Sequence, residues 1–325
     1  MSVTAFQVLI HGPLMPLVID GLSRALPVHK LWEDPEAEAF IDRNGHKIQA
    51  LVGGFRSKID DALMARLPNL KIISNFGVGY DMVDAAAAAR RGIVVTNTPD
   101  VLNEEVADTA MGLLLMTVRK LPQAERYLRA GRWEKDGHYP LSASLRERTM
   151  GIVGLGRIGK AIARRAEAFG VKVAYYGRNR QADVAYPYYS DLVAMARDVD
   201  ILMVILPGGA ATYHLVNRAV LEALGPDGIL INVARGTVVD EQALIELLGK
   251  NAILGAGLDV FEFEPKVPQA LIDLDNAVLL PHVGSASHHT RNRMGQLVVD
   301  NVLAIAQGRA PLTPVAETPW PPRGQ

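Results

Sequence analysis

The chain has 325 residues, and its 34 basic and 35 acidic side chains leave a net charge of −1, which removes the electrostatic basis for nucleic acid or an anionic membrane as a partner. Zero cysteines exclude disulfides, thiolate nucleophiles and Cys-ligated metals. The length suits about two domains at roughly 150 residues each, and no stretch approaches the roughly 18 apolar residues of a membrane span, so a cytoplasmic protein is expected.

Short apolar runs alternate with helix-period segments from end to end, the pattern of parallel strands joined by crossover helices. The first run, 6–10, has no basic region before it and reads as a strand, not a signal peptide. Further strands are expected at 28–31, 50–52, 71–75 and 94–96, with an alanine-rich helix over 81–91 that Gly92 closes. A second set follows at 151–153, 171–175, 201–206, 229–233, 257–260 and 278–280, enough for a doubly wound dinucleotide-binding sheet. Two helices read as connectors. One covers 103–120, with Glu104 and Glu105 at its positive end and Arg119 and Lys120 at its negative end. The other covers 290–307, and the proline-rich 310–325 after it is expected to be an arm or mobile tail. The boundaries implied are one domain of 1–98 plus 287–325, and a second, 99–286, inserted into it.

Gly154-Leu155-Gly156-Arg157-Ile158-Gly159 is a G-x-G-x-x-G placed between the apolar run 151–153 and the helix pattern Ile158, Ile162, Ala166, Phe169. Gly154 permits a tight turn, Gly156 lets backbone approach a pyrophosphate, and Gly159 lets helix pack on strand. The helix start adds free N–H groups and the positive end of a dipole. An NAD site usually has an acid at the end of the next strand, for the ribose 2′-hydroxyl. Here that stretch reads Gly177-Arg178-Asn179-Arg180. Two arginines suit a 2′-phosphate, so NADP(H) is preferred and NAD(H) possible.

Three stretches hold the candidate chemistry: Asn232 to Glu241 with Arg235, Leu258 to Pro265 with Asp259 and Glu264, and Pro281 to Ser285 with His282 and Gly284. Each follows a predicted strand, where open α/β sheets bind ligands. In the order Arg, Glu, His, they resemble the D-isomer-specific 2-hydroxyacid dehydrogenase family. The resemblance runs from Ala50-Leu51-Val52-Gly53-Gly54 through Asn75-Phe76-Gly77-Val78-Gly79 to the last helix, and it is nearest to the bacterial glyoxylate/hydroxypyruvate reductases at 98–110 and at Gly177-Arg178. It implies an α/β fold class of two doubly wound parallel-sheet domains, a Rossmann-type cofactor domain inserted into a flavodoxin-like substrate domain.

The roles implied are chemically sensible. Arg235 can fork onto a 2-oxo acid's carboxylate and keto oxygen. His282 can protonate the developing alkoxide, and Glu264 can orient the imidazole and favour its charged form. Gly54 and the backbone N–H groups of Val78 and Gly79 are assigned to substrate. Asp259, Thr109, Val233 and Gly284 are assigned to the cofactor, Asp259 to its nicotinamide ring. The segment 133–141 corresponds to one that in relatives reaches a neighbouring subunit's pocket. A homodimer is expected, supported by the apolar Met111, Leu113, Leu114, Leu115 and Met116.

The activity implied is NADPH-dependent reduction of glyoxylate and hydroxypyruvate. The alternatives are 2-ketogluconate or another 2-oxo acid as substrate and, from a different class, a dinucleotide-sensing binding protein. His11, His29, His46 and His214 lack metal-ligand company, His288 and His289 flank the last helix, and no metal is expected.

Overall fold

The computed structural model describes residues 6–54 and 57–321. Residues 1–5, which precede the first strand, and 322–325 at the end of the expected tail lie outside the described residues. Two compact units emerge, one running to Leu102 and resuming at Ser287, the other spanning Asn103–Ala286.

The first unit is built on five strands: β1 (Gln7–Ile10), β2 (Val28–Lys30), β3 (Ile48–Gly53), β4 (Ile72–Asn75) and β5 (Val94–Thr96). They lie in the order β2-β1-β3-β4-β5, all parallel, which is the flavodoxin-like arrangement. Leu9, Leu51, Ile73 and Val95 are register neighbours across four of these strands, and each is fully buried. The opposite face carries Val8, Ala50, Ile72 and Val94, equally buried. A sheet covered on both sides needs such continuous apolar runs. The alanine-rich helix is shorter than expected, Ala85–Arg90, because Asp84 and not Asp81 caps it by accepting the Ala87 N–H. The last helix is His288–Ala306, capped by Ser287.

Of the two expectations for the tail, an arm or a mobile end, the structure shows the arm. Through its described length it is docked, not mobile. Pro314 pairs with Thr96, the Val315 N–H donates to Val95 O at 2.9 Å, and the Val95 N–H donates to the Thr318 hydroxyl at 2.8 Å. The open edge of β5 offers unpaired backbone groups, and the tail satisfies them with backbone and one hydroxyl. Low apolar content did not matter.

The second unit holds β6 (Thr149–Val153), β7 (Lys172–Tyr176), β8 (Tyr188–Tyr189), β9 (Ile201–Val204), β10 (Ile229–Asn232), β11 (Gly255–Leu258) and β12 (Ala277–Leu279). Their order is β12-β11-β10-β9-β6-β7-β8, all parallel. This is the doubly wound dinucleotide-binding order with a further strand, β12, at one edge. The strand missing from the sequence reading is β8, whose two residues are too few to show a period. Winding reverses at β6, where the loops after β6 and β9 meet, and that switch point is where such sheets bind ligands.

The connector helix, Asn103–Arg119, buries Met111, Leu113 and Leu114 completely or nearly so. It lies so flat on β11 that a Cβ on Gly257 would come within 2.7 Å of Leu113. Much of the apolar surface read as a sign of dimerisation is therefore used inside the unit. Trp133 and Leu141 are exposed, at 58% and 100%. No described helix is long and apolar enough to cross a membrane.

The docked tail is testable. Thr318→Val removes the hydroxyl that accepts the buried Val95 N–H, and an unsatisfied buried donor costs about 1–3 kcal/mol. The urea midpoint is expected to fall accordingly, and Thr318→Ser is expected to restore most of it.

Candidate active site

Asp259 immediately follows β11, and His282 lies shortly after β12. The Val283 N–H donates to Asp259 Oδ1 at 2.7 Å and the Gly284 N–H to Oδ2 at 2.8 Å. One buried carboxylate thus grips the turn that carries His282, whose φ of +55° is in the left-handed region that side-chain-bearing residues seldom take. Burial pushes the Asp259 carboxyl above its ordinary range, against the pull of the two amides and the His282 charge. Its immediate task in the fold is to hold the histidine turn, which the assignment to the nicotinamide ring did not anticipate.

His282 Nδ1 and Glu264 Oε2 are 2.8 Å apart, while the Phe261 N–H donates to Glu264 Oε1 at 3.2 Å. Burial acts to raise the Glu264 carboxyl. The hydrogen bond and charge of His282, the Phe261 amide and the Arg235 charge outweigh it and hold Glu264 below the usual glutamate value. With Nδ1 on the carboxylate, Nε2 points the opposite way across the ring.

Arg235 is set by the last residue of β10. Asn232 Oδ1 accepts the Ala234 N–H and its Nδ2 donates to Arg235 O, both at 3.0 Å. Gly236 then lies against the Phe261–Glu262 peptide so closely that a Cβ would stand 1.8 Å from the Phe261 carbonyl carbon. Only glycine permits that approach. The same peptide is also held by a hydrogen bond, its Glu262 N–H donating to the buried Glu241 carboxylate at 3.2 Å. Burial pushes the Glu241 carboxyl up. Arg235, Glu264 and His282 therefore share one scaffold.

The glycine loop opens the helix Arg157–Ala168. Gly154 has φ +104°, and a Cβ there would be 2.8 Å from Ile205 O. A Cβ on Gly159 would be 2.4 Å from Gly154 O, whereas one on Gly156 would meet nothing within 4 Å. Close packing on one side and open space at Gly156 leave room in which a pyrophosphate could be held, with Leu155 buried and the helix's first N–H groups beside it. Phe169, expected on the buried helix face, ends the helix 51% exposed.

Beyond β7, Arg178, Asn179 and Arg180 are exposed. Among the described residues none of the three side chains has a hydrogen-bond or ion-pair partner. Other assigned residues are committed within the unit: the Thr109 hydroxyl donates to Gly284 O at 3.3 Å, and the Val233 N–H donates to Val204 O at 3.1 Å.

In the first unit, Asn75 Nδ2 donates to Gly77 O and Gly79 O at 3.2 and 2.9 Å, and Asn97 Nδ2 donates to Val78 O at 2.8 Å. In a planar trans peptide, the N–H points opposite the preceding C=O. Holding the Gly77 and Val78 carbonyls therefore turns the Val78 and Gly79 N–H groups the other way. Among the described residues neither N–H donates to another group. Gly54 differs, since its N–H already donates to the Ser57 hydroxyl at 3.1 Å. The sequence reading missed Asn75, Asn97 and Asn232 as supports. Their one signal was an amide side chain at or just past the carboxyl end of a strand. Among the described residues, no group of three or more His, Asp or Glu could hold a metal.

Comparison with known proteins matches residues 111–284 to the D-isomer specific 2-hydroxyacid dehydrogenase, NAD binding domain, family. The chain is 46% identical over 308 residues to glyoxylate/hydroxypyruvate reductase A HPR2 of Arabidopsis thaliana, covering 95% of this chain and 98% of that one. It is 42% identical to hydroxyphenylpyruvate reductase of Plectranthus scutellarioides, covering 96% and 99%. Among solved structures, an NADPH-dependent glyoxylate/hydroxypyruvate reductase from Sinorhizobium meliloti, in complex with NADP and malonate, is 51% identical. It aligns with a TM-score of 0.90 over 97% of this chain and 98% of that one.

The lowered Glu264 carboxyl carries a pH signature. Its folded value lies below its unfolded one, so its contribution to stability is present above the ordinary 4.5 and is lost as pH falls through the folded value. Denaturant titrations from pH 6 downward are expected to show a steeper acid loss in the parent than in Glu264→Gln, which has no such group to protonate.

Proposed function

The chain belongs to the D-isomer specific 2-hydroxyacid dehydrogenases, and we propose that this oxidoreductase reduces glyoxylate to glycolate and hydroxypyruvate to D-glycerate with NADPH. The observation that carries this reading is the His282–Glu264 pair, 2.8 Å apart, on the same scaffold as Arg235.

Reduction of a 2-oxo acid needs a carboxylate anchor, a proton donor and a hydride donor. Bound NADPH would supply the hydride; the glycine loop would hold its pyrophosphate, and Arg178, Asn179 and Arg180 its 2′-phosphate. Arg235 binds the substrate's carboxylate and keto oxygen through its forked N–H groups, fixing the carbonyl carbon for attack. As the carbonyl oxygen gains negative charge, His282 gives it the Nε2 proton and becomes neutral. Glu264, ionised and bonded to Nδ1, stabilises the charged imidazole before transfer and keeps the ring oriented. The outward Val78 and Gly79 N–H groups suit a carboxylate oxygen. The Gly54 N–H is spent on the Ser57 hydroxyl.

The relatives named for glyoxylate and hydroxypyruvate, and the NADP held by the Sinorhizobium meliloti enzyme, support the choice of substrate and cofactor. The relative that reduces hydroxyphenylpyruvate makes aromatic 2-oxo acids the informative contrast. A homodimer is part of the proposal, and sedimentation showing only monomer at micromolar concentration would count against it.

Cofactor oxidation should be followed with NADPH and NADH against glyoxylate, hydroxypyruvate, hydroxyphenylpyruvate and 2-ketogluconate. Fast NADPH turnover on the first two is expected. Turnover mainly with NADH would remove the 2′-phosphate role of the arginines and leave the proton-transfer chemistry standing. His282→Asn is expected to lower kcat by about 10²–10⁴, and Arg235→Ala to lower kcat/KM at least as far, both with NADPH binding retained. Full turnover in either variant would refute its assigned role.

A further inference from the structure

The loop that carries Arg178, Asn179 and Arg180 is tied down on both sides of those residues, and two of the three ties are made by Gln181. Before the loop, Tyr188 Oη donates to Gly177 O at 3.1 Å. After it, the Gln181 N–H donates to Tyr175 Oη at 2.7 Å, and Tyr175 is 1% exposed, so its hydroxyl is a fixed post in the core. The rings of Tyr175 and Tyr188 pack together at 5.3 Å. The Gln181 side chain then leaves this loop altogether: its Nε2 donates to Leu155 O at 2.8 Å, in the middle of the glycine loop.

That bond acts on both loops at once. The Leu155–Gly156 peptide is planar, so holding the Leu155 carbonyl directs the Gly156 N–H the opposite way. At Gly156 the Cβ position is open space. The glycine loop has other supports, including the Gly154 N–H on Tyr176 O at 3.0 Å and the packing of Gly159 on Gly154. The arginine loop has no such second attachment to the glycine loop in its 178–181 stretch among the described residues; the Lys160–Asp183 ion pair, at 2.9 Å, lies beyond it and is exposed.

We propose that Gln181 is a positioning residue for cofactor selection: its side chain latches the 2′-phosphate loop to the pyrophosphate loop, so that Arg178 and Arg180 are held in place before NADPH arrives. The inference rests on the reading of those arginines as the 2′-phosphate site. Pre-ordering matters because two exposed arginines otherwise lose side-chain and loop freedom on binding, which weakens affinity. NADH has no 2′-phosphate and gains little from the latch.

The test is direct binding, by NADPH and NADH fluorescence titration of the enzyme without substrate, on the parent, Gln181→Ala, Gln181→Met and Arg178→Ala. Circular dichroism and melting temperature confirm the fold, and Gln181→Met keeps side-chain bulk should Gln181→Ala be damaged. Loss of the latch is expected to raise the Kd for NADPH about fivefold, the factor that one ordinary hydrogen bond is worth, and the Kd for NADH by less than about half of that factor. Equal weakening of both cofactors, or no change in either, would overturn the inference. The Arg178→Ala arm separates the two levels. If it leaves the NADPH-to-NADH ratio unchanged, the 2′-phosphate reading falls and Gln181 falls with it. If it collapses the ratio while both Gln181 variants keep it, only the latch is wrong.

Discussion

A buried carboxylate cannot stay in an apolar interior without partners, and Asp259 takes its partners from the backbone of another strand's loop. Its two oxygens accept the Val283 and Gly284 amides, and that grip fixes the left-handed turn at His282. From there the arrangement follows in order. The fixed imidazole meets Glu264 at 2.8 Å, Glu264 is braced by the Phe261 amide, and the Phe261–Glu262 peptide is the surface on which Gly236 seats the Arg235 turn. Three candidate residues from separate stretches of chain are thereby held by one strand-end framework, the kind of fixed geometry that catalysis would require.

The nucleotide side of the second unit uses the same economy of parts with different chemistry. Here backbone, not carboxylate, does the holding. Gly154 and Gly159 bring loop and helix together at distances no side chain allows, and the helix Arg157–Ala168 contributes its N-terminus. Positive charge is kept on a short exposed loop whose ends are anchored by tyrosine hydroxyls. Charge that has no partner among the described residues could meet an anionic group of a ligand.

In the first unit, two asparagines perform for backbone N–H groups what Asp259 performs for an imidazole. Asn75 and Asn97 occupy the carbonyls of Gly77, Val78 and Gly79, and the peptide plane does the rest. The pattern common to both units is a polar side chain at a strand's carboxyl end that spends its hydrogen bonds on a loop, while the loop presents something else outward.

The chain alone made legible whatever is local. The glycine loop, the strand–helix alternation and the acid-free stretch after β7 are matters of residue type and spacing over a few positions, so periodicity and motif suffice to find them, whereas Arg235, Glu264 and His282, spread over 47 residues, stand out through their order and the family resemblance it carries. What tertiary structure decided depends on partners far apart along the chain. The Asp259 grip spans 24 and 25 residues, the Gln181 latch 26, and the Thr318 contact that docks the tail 223. Nothing in the spacing of such residues distinguishes a committed hydrogen bond from a solvated side chain. The two-residue β8 and the tail's place along β5 were hidden for the same reason: both exist because a neighbouring strand offers unpaired backbone groups, and only the assembled sheet creates that edge.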